Sequence, residues 1–320
     1  MNKKFVQNIN MVKNFNLKAS KFKGNFDFTN ARSMYPYLEK VEDDFLIWLI
    51  GFFEGDGSFI FSKELNIVIT QREDNKQTLE MIVEKLEIGK VIVQSKNIVP
   101  GKLWIYRWII RDLKSINIFM RILEGNLVIP MKIHKHRLFA EKHNEKLLRA
   151  KQNRPNKYKD IEPLNINKLP LKEYIESVRV WPTDKDPWFS GYSDAEGCFT
   201  VSLLSNSNAF RIRFIVAKIN DERVDPCLNI LSLWEHFVSD ILKAGTIQKA
   251  HQKDVIDVRV NGLKNMRMIY PYFDSYLLKT NKIESYLLTK TLHQKFLDKE
   301  HLCPSKRALF ADLIRSRKLD

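Results

Sequence analysis

The 320-residue sequence predicts an α+β fold built twice, a pseudo-twofold αββαββα duplication with two antiparallel β-saddles set on a central helix pair. Three observations carry that prediction. A strongly apolar helical run, Phe45–Phe53, ends in acids and glycines at Glu54–Gly57, and the same design returns at Asp194–Gly197. Each run leads into two alternating strands joined by a turn. An amphipathic helix, a second hairpin opened by a glycine, and more helix follow both times. Two copies make a duplication rather than a solenoid.

The helices come first. Leu49–Ile60, "LIGFFEGDGSFI", aligns with Phe189–Thr200, "FSGYSDAEGCFT". Gly51 matches Gly191, Gly57 matches Gly197 and Phe59 matches Phe199, while Phe52 faces Tyr192, Glu54 faces Asp194, Gly55 faces Ala195 and Asp56 faces Glu196. Gly51 and Gly55 lie four apart, on one helix face, and Gly191 and Ala195 repeat that face. Small residues at this spacing let two helix backbones approach closely, so the two helices are expected to pair with their last turns together. Asp43 or Asp44 is expected to cap the first helix, and Asp186–Pro187 starts the second. Gly57 and Gly197 are expected in the left-handed conformation that ends a helix.

The strands follow. Phe59, Phe61, Leu65, Ile67 and Ile69 share one parity and are expected inside, opposite Ser58, Ile60, Ser62, Glu64, Asn66, Val68 and Thr70. In the second copy Phe199, Val201, Leu203, Ile212, Phe214 and Val216 face inward; Thr200, Ser202, Arg211 and Arg213 face out. Trp104, Tyr106 and Trp108 alternate as core residues. The remaining parts are Lys76–Leu86, a hairpin over Gly89–Arg111 and Leu113–Leu123 in the first copy. In the second they are Pro226–Leu242, Gly245–Val260 and Leu263–Tyr272.

At 44% hydrophobic and 28% charged residues the chain reads as folded and soluble, not disordered. Its longest apolar run falls short of the about 20 residues that span a bilayer, so no membrane is expected. Cys198, Cys227 and Cys303 are scattered and odd in number, which fits a reducing compartment. The net charge of +15 points to a polyanionic partner, because cations that meet phosphates release condensed counterions. Four segments are expected: a basic N-terminal extension (1–40), a first half (41–145), a linker (146–183), and a second half with C-terminal helices (184–320). Residues 1–26 hold no acid and six lysines, Lys3, Lys4, Lys13, Lys18, Lys21 and Lys23. They read as a flexible arm, a read-through leader or a targeting segment, though scarce Arg and Ser argue against a typical transit peptide. Lys- and Asn-rich composition suits an organellar intron product, the mitochondrion by preference.

The paired acids carry the chemistry. Asp56 and Glu196 each precede a helix-ending glycine, where the negative end of the helix dipole disfavours a carboxylate by roughly 0.3–1 kcal/mol. Two such groups brought together repel as well, so a divalent cation is the natural compensation. Glu54 and Asp194 lie on another helix face and are expected to bond locally. His134, His136 and His143 lack zinc-site spacing and read as surface residues of a helix.

"LIGFFEGDG" and "FSGYSDAEG" resemble the two signature helices of the LAGLIDADG homing endonucleases, in the single-chain form carrying both halves. The resemblance covers about Asp44–Asn144 and Asp184–Lys290. Neither motif is letter-perfect, since Ser190 and Ser193 replace apolar residues. It implies a monomer that makes a staggered double-strand break in a long double-stranded DNA target by Mg²⁺-assisted hydrolysis, Asp56 and Glu196 holding the metal. It also implies Gln71 and Lys218 near the scissile phosphates, and a basic residue after each half's last hairpin, Lys132 or Lys135 and Lys279 or Lys282. The outward strand residues would then read base edges, a two-stranded ribbon fitting the major groove. Lys90, Gln94, Arg107, Gln248, Asp257 and Arg259 of the later hairpins join them. The same fold and charge would also serve a maturase bound to its own intron RNA, with little or no cleavage. A non-enzymatic DNA-binding regulator would leave the paired acids unexplained.

Overall fold

A computed structural model describes residues 26–62, 64–95, 103–204, 207–221, 224–249 and 254–316. In chain order the first half contains α1 (Thr29–Met34), α2 (Asp43–Asp56), β1 (Gly57–Phe61), β2 (Leu65–Arg72), α3 (Lys76–Leu86), β3 (Lys90–Ser95), β4 (Ile105–Ile110), α4 (Leu113–Leu123) and α5 (Pro130–Asn153). Two short helices, α6 (Pro155–Tyr158) and α7 (Leu171–Val178), lead to the second half. There α8 (Trp188–Glu196), β5 (Gly197–Leu203), β6 (Phe210–Ile219), α9 (Leu231–His236), β7 (Thr246–Lys249), β8 (Val255–Asn261), α10 (Gly262–Ser275), α11 (Lys282–Leu297) and α12 (Pro304–Ser316) follow. The two sheets have the same antiparallel order, β1-β2-β4-β3 and β5-β6-β8-β7.

The axis of the molecule is the α2–α8 pair. Phe45 to Glu54 are all buried, so α2 is apolar around its whole circumference, as a helix enclosed on every side must be. A side chain at Gly51 would place its Cβ 2.0 Å from the Trp188 carbonyl oxygen, and one at Gly191 would lie 1.9 Å from that of Trp48. A Cβ on Gly55 would meet that of Ala195 at 2.2 Å. The backbones therefore touch where the spacing of small residues predicts. Gly57 and Gly197 are extended instead of left-handed, with φ of −77° in both. Glycine is required at Gly57 for room: a Cβ there would strike the Phe53 ring at 2.0 Å. Asp43 does not cap α2 either. It lies in the first helical turn and pairs with Arg32 at 2.5 Å, Glu42 occupying the cap position. Asp186 does accept the Trp188 backbone N–H at 3.1 Å.

The sheet faces follow the predicted parity in their cores. Ile67, Ile69, Ile212, Phe214 and Val216 are buried against the helices, with Phe59 opposite Ile67 and Phe199 opposite Phe214. Phe61 is half exposed at the strand end, although its ring still meets Phe139. The cysteines are free. Among the described residues no helix is long and apolar enough to cross a membrane.

Two segments depart from the expected organisation. Residues 1–25 of the basic extension lie outside the described residues, but Phe28, Ala31, Leu38 and Val41 are buried, and Tyr35 donates to Asn117 at 2.8 Å. The stretch up to residue 40 is therefore partly built into the first half. Helix α5 runs unbroken from the first half through residue 145 to Asn153, into the stretch expected as linker. His136 and His143 on this helix are buried, their Nε2 atoms 3.0 Å from the Met120 carbonyl oxygen and 3.1 Å from that of Leu113. They are core residues; spacing alone gave no sign of which helix face turned inward.

Candidate nucleic-acid cleavage site

Asp56 and Glu196 are the last residues of α2 and α8. Because those helices touch at Gly55 and Ala195, the two acids meet at one end of the pair, and a Cβ on Gly55 would lie 3.2 Å from Glu196 Cγ. Each then acquires a partner from the far end of its half's second strand. Gln71 Nε2 donates to Asp56 Oδ2 at 2.5 Å, and Lys218 Nζ donates to Glu196 Oε1 at 2.6 Å. Burial raises the Asp56 pKa, Lys282 and Glu196 acting on it in opposite directions.

Two lysines, Lys132 buried and Lys282 half-buried, complete the arrangement. Lys132, near the start of α5, donates to the carbonyls of Phe53 (3.3 Å) and Gly57. Lys282, the first residue of α11, donates to those of Ser193 (3.4 Å) and Ala195 (2.6 Å). Each ammonium thus covers the negative end of its half's interface helix, beside the acid. Burial, then the charge of Lys218, lowers the Lys132 pKa to about 7, and burial lowers that of Lys282 as well. The structure brings Lys132 and Lys282 to the helix ends, and not Lys135 or Lys279. Those two are exposed, and the Lys279 ammonium lies 5.7 Å over the Trp48 ring.

Glu54 and Asp194 bond across the fold rather than locally. Glu54 accepts the N–H groups of Val128 (2.9 Å) and Ile129 (2.6 Å) and the indole N–H of Trp188 (2.7 Å). Asp194 accepts those of Lys279 (2.7 Å) and Thr280 (3.0 Å), the Thr280 hydroxyl (2.5 Å) and the Trp48 indole (2.8 Å). Sequence reasoning missed both tryptophans, since an apolar run conceals which indole has a polar task, and it missed Asn75. The Asn75 amide donates to Gln71 Oε1 at 3.2 Å and accepts the Asn281 N–H at 2.9 Å, which turns the Gln71 amino group toward Asp56.

On the outward strand faces, Ser58, Ser62, Glu64, Lys90, Gln94, Arg211 and Gln248 are exposed. Ile60, Asn66, Thr70, Arg107, Thr200, Ser202, Arg213 and Arg259 are half-buried. Arg107 reaches Thr70 and Arg213 reaches Thr200, both at 3.2 Å, so these residues hold one another in place across strands. Two candidates are buried. Val68 is paired in register with Ile109, itself buried, and Asp257 is paired with Arg259 at 2.7 Å. Strand parity gives direction, and burial depends on the size of the neighbours.

A family model described as "LAGLIDADG endonuclease" matches residues 189–293. The second half of the chain thus carries the LAGLIDADG pattern. A "Probable intron-encoded endonuclease 4" of Neurospora crassa is 29% identical over 275 residues, 84% of this chain. The chain spans 43% of that relative's length, less than half. Among solved structures, the LAGLIDADG meganuclease I-AabMI bound to uncleaved DNA superposes with a TM-score of 0.62 at 22% identity, covering 84% of this chain and 98% of that one. I-SmaMI bound to an uncleaved DNA target in the presence of calcium ions gives 0.59 at 18% identity, covering 84% and 97%. The duplicated LAGLIDADG fold is common to all three, and it is the fold in which the paired helix ends of this chain sit.

Proposed function

We propose that the chain is a site-specific endonuclease that makes a staggered double-strand break in a long DNA target. The observation that carries this reading is the meeting of Asp56 and Glu196 at the end of the interlocked helix pair, each beside a donor and a lysine that covers the helix end. Among the described residues no three His, Cys, Asp or Glu side chains cluster to form an all-protein metal cage. One or two carboxylates completed by substrate phosphate is how Mg²⁺ is usually held, so the donor set suits that ion. Held by Asp56 and Glu196, it would supply an activated water and offset phosphate charge.

The side chains divide the remaining work. Gln71, its amide turned by Asn75, directs an N–H at the Asp56 carboxylate and can position a water there. Lys218 sets a positive charge beside Glu196, where negative charge grows on a phosphate under attack. Lys132 and Lys282 offset the negative helix ends beside the two acids. The exposed and half-buried strand residues named above, with the net charge of +15, are suited to follow a duplex. Both acids lie on one polypeptide, so a monomer suffices. In this reading the halves are residues 41–145 and 184–320, joined by 146–183, with residues 28–40 docked on the first. An organellar, preferably mitochondrial, origin agrees with a relative named as intron-encoded.

The test is a randomised duplex library incubated with the protein and Mg²⁺. Recovery of one cut sequence, abolished by Asp56→Asn, supports the proposal. No Mg²⁺-dependent cutting, together with tight binding to the chain's own intron RNA, would replace it with the maturase reading.

A further inference from the structure

The buried acids Glu54 and Asp194 touch neither the candidate metal site nor solvent, yet each makes bonds of the same kind in its half. Glu54 receives the two N–H groups just ahead of α5, and Asp194 receives the two at Lys279 and Thr280, just ahead of α11. Those helices open with the two lysines: Lys132 is the third residue of α5, and Lys282 the first of α11. A carboxylate beside a helix N-terminus is also where the helix dipole favours it. The third partner of each acid belongs to the opposite half. Trp188 of α8 donates to Glu54 on α2, and Trp48 of α2 donates to Asp194 on α8.

Resting on the endonuclease reading, we propose that Glu54 and Asp194 are positioning residues that set the lysines through the opposing half. Each fixes the start of its own lysine-bearing helix, and a tryptophan from across the interface fixes the acid. The placement of Lys132 therefore depends on Trp188, and that of Lys282 on Trp48. A perturbation at a tryptophan of one half is therefore felt at the lysine of the other.

The decisive variants are Trp188→Phe and Trp48→Phe, which keep a ring in the helix interface and delete one N–H. Single-turnover cutting is measured separately for each labelled strand of the library-selected duplex. Lys132→Met and Lys282→Met define which strand each lysine serves. Trp188→Phe should slow the Lys132 strand about ten-fold while the other strand and the binding constant hold, and Trp48→Phe should do the reverse. Glu54→Gln, with its amide N–H₂ facing backbone donors, should slow the Lys132 strand about a hundred-fold. It should also speed hydrogen exchange at Val128 and Ile129. Should Glu54→Gln not fold, the tryptophan variants decide alone. Equal slowing of both strands, or no slowing, overturns the proposal while leaving the endonuclease reading in place. A wild-type chain that cuts neither strand refutes that reading, and the proposal with it.

Discussion

At the end of α2, the Asp56 carboxylate meets the neutral amide of Gln71; at the end of α8, Glu196 meets the ammonium of Lys218. The backbone frames are otherwise alike. Each acid precedes an extended glycine, each helix end is covered by a lysine, and each lysine-bearing helix starts against a buried acid and a foreign tryptophan. Even the next turn corresponds. Four residues beyond Lys132 stands His136, its ring 6.2 Å from that of Phe59; four beyond Lys282 stands Tyr286, 5.2 Å from Phe199. The supports differ as well. The segment before α5 is held by linker residues, Arg179 donating to the Val128 carbonyl at 2.9 Å and the Val180 N–H to that of Leu127 at 3.1 Å. The segment before α11 is held by the first half, through Thr78 (2.9 Å), Asn75 and Asp74. The duplicated geometry is thus separable from the charges placed on it: the frame brings acids and lysines together, and the second-strand residue decides how positive each site becomes.

The largest effect that can break the comparison is at the acids. Asp56→Asn and Glu196→Gln should each abolish double-strand cleavage, by on the order of a thousand-fold or more, with target binding retained in gel-shift titrations. Retained double-strand cutting by either variant would end the equivalence of the two helix feet. Next comes the frame. Gly191→Ala forces a methyl group into the Trp48 carbonyl and should cost roughly 3 kcal/mol in denaturant unfolding, and Gly51→Ala about the same. A large difference between them would show that the helix pair is not symmetric in energy.

The shared frame was legible in the sequence, and the reasons are physical. Small residues four apart reveal a close helix contact, alternation reveals strand faces, and repetition reveals the pseudo-dyad. Contacts that join distant segments were not legible. Nothing local distinguishes Lys132 from Lys135, because the choice depends on which face of α5 turns toward the end of α2. Glu54 and Asp194 read as local because their partners lie 74 to 134 and 85 to 146 residues away. Val68 and Asp257 show that an outward strand position can still be covered by its neighbours.

Smaller effects sharpen the contrast. Lys218→Gln makes the second site resemble the first; cutting of one strand should fall by about ten- to a hundred-fold and the other should change less. Equal loss on both strands would mean that the ammonium serves both sites. Stability should also show an acid-side asymmetry. Burial lowers the His136 pKa from 6.5 to about 4, so the folded state favours the neutral ring. Its contribution is present above pH 6.5, where the unfolded state is also neutral, and is lost as pH falls toward 4. The loss should amount to about 3 kcal/mol across that window in urea melts, and His136→Gln should flatten the slope. Tyr286 gives the second half no counterpart in that range. The smallest change is expected at Lys135→Ala and Lys279→Ala, less than about three-fold in cutting rate, as fits exposed cations acting mainly on the phosphate backbone.

Gly51 and Gly191 place bare main chain against main chain, so the seam between the halves is specified by the absence of side chains more than by any chemical match. Such a join is strict about shape and indifferent to identity. A half taken from another chain could be grafted here provided it brings a glycine to the same spot, whereas a single added methyl group would keep it out.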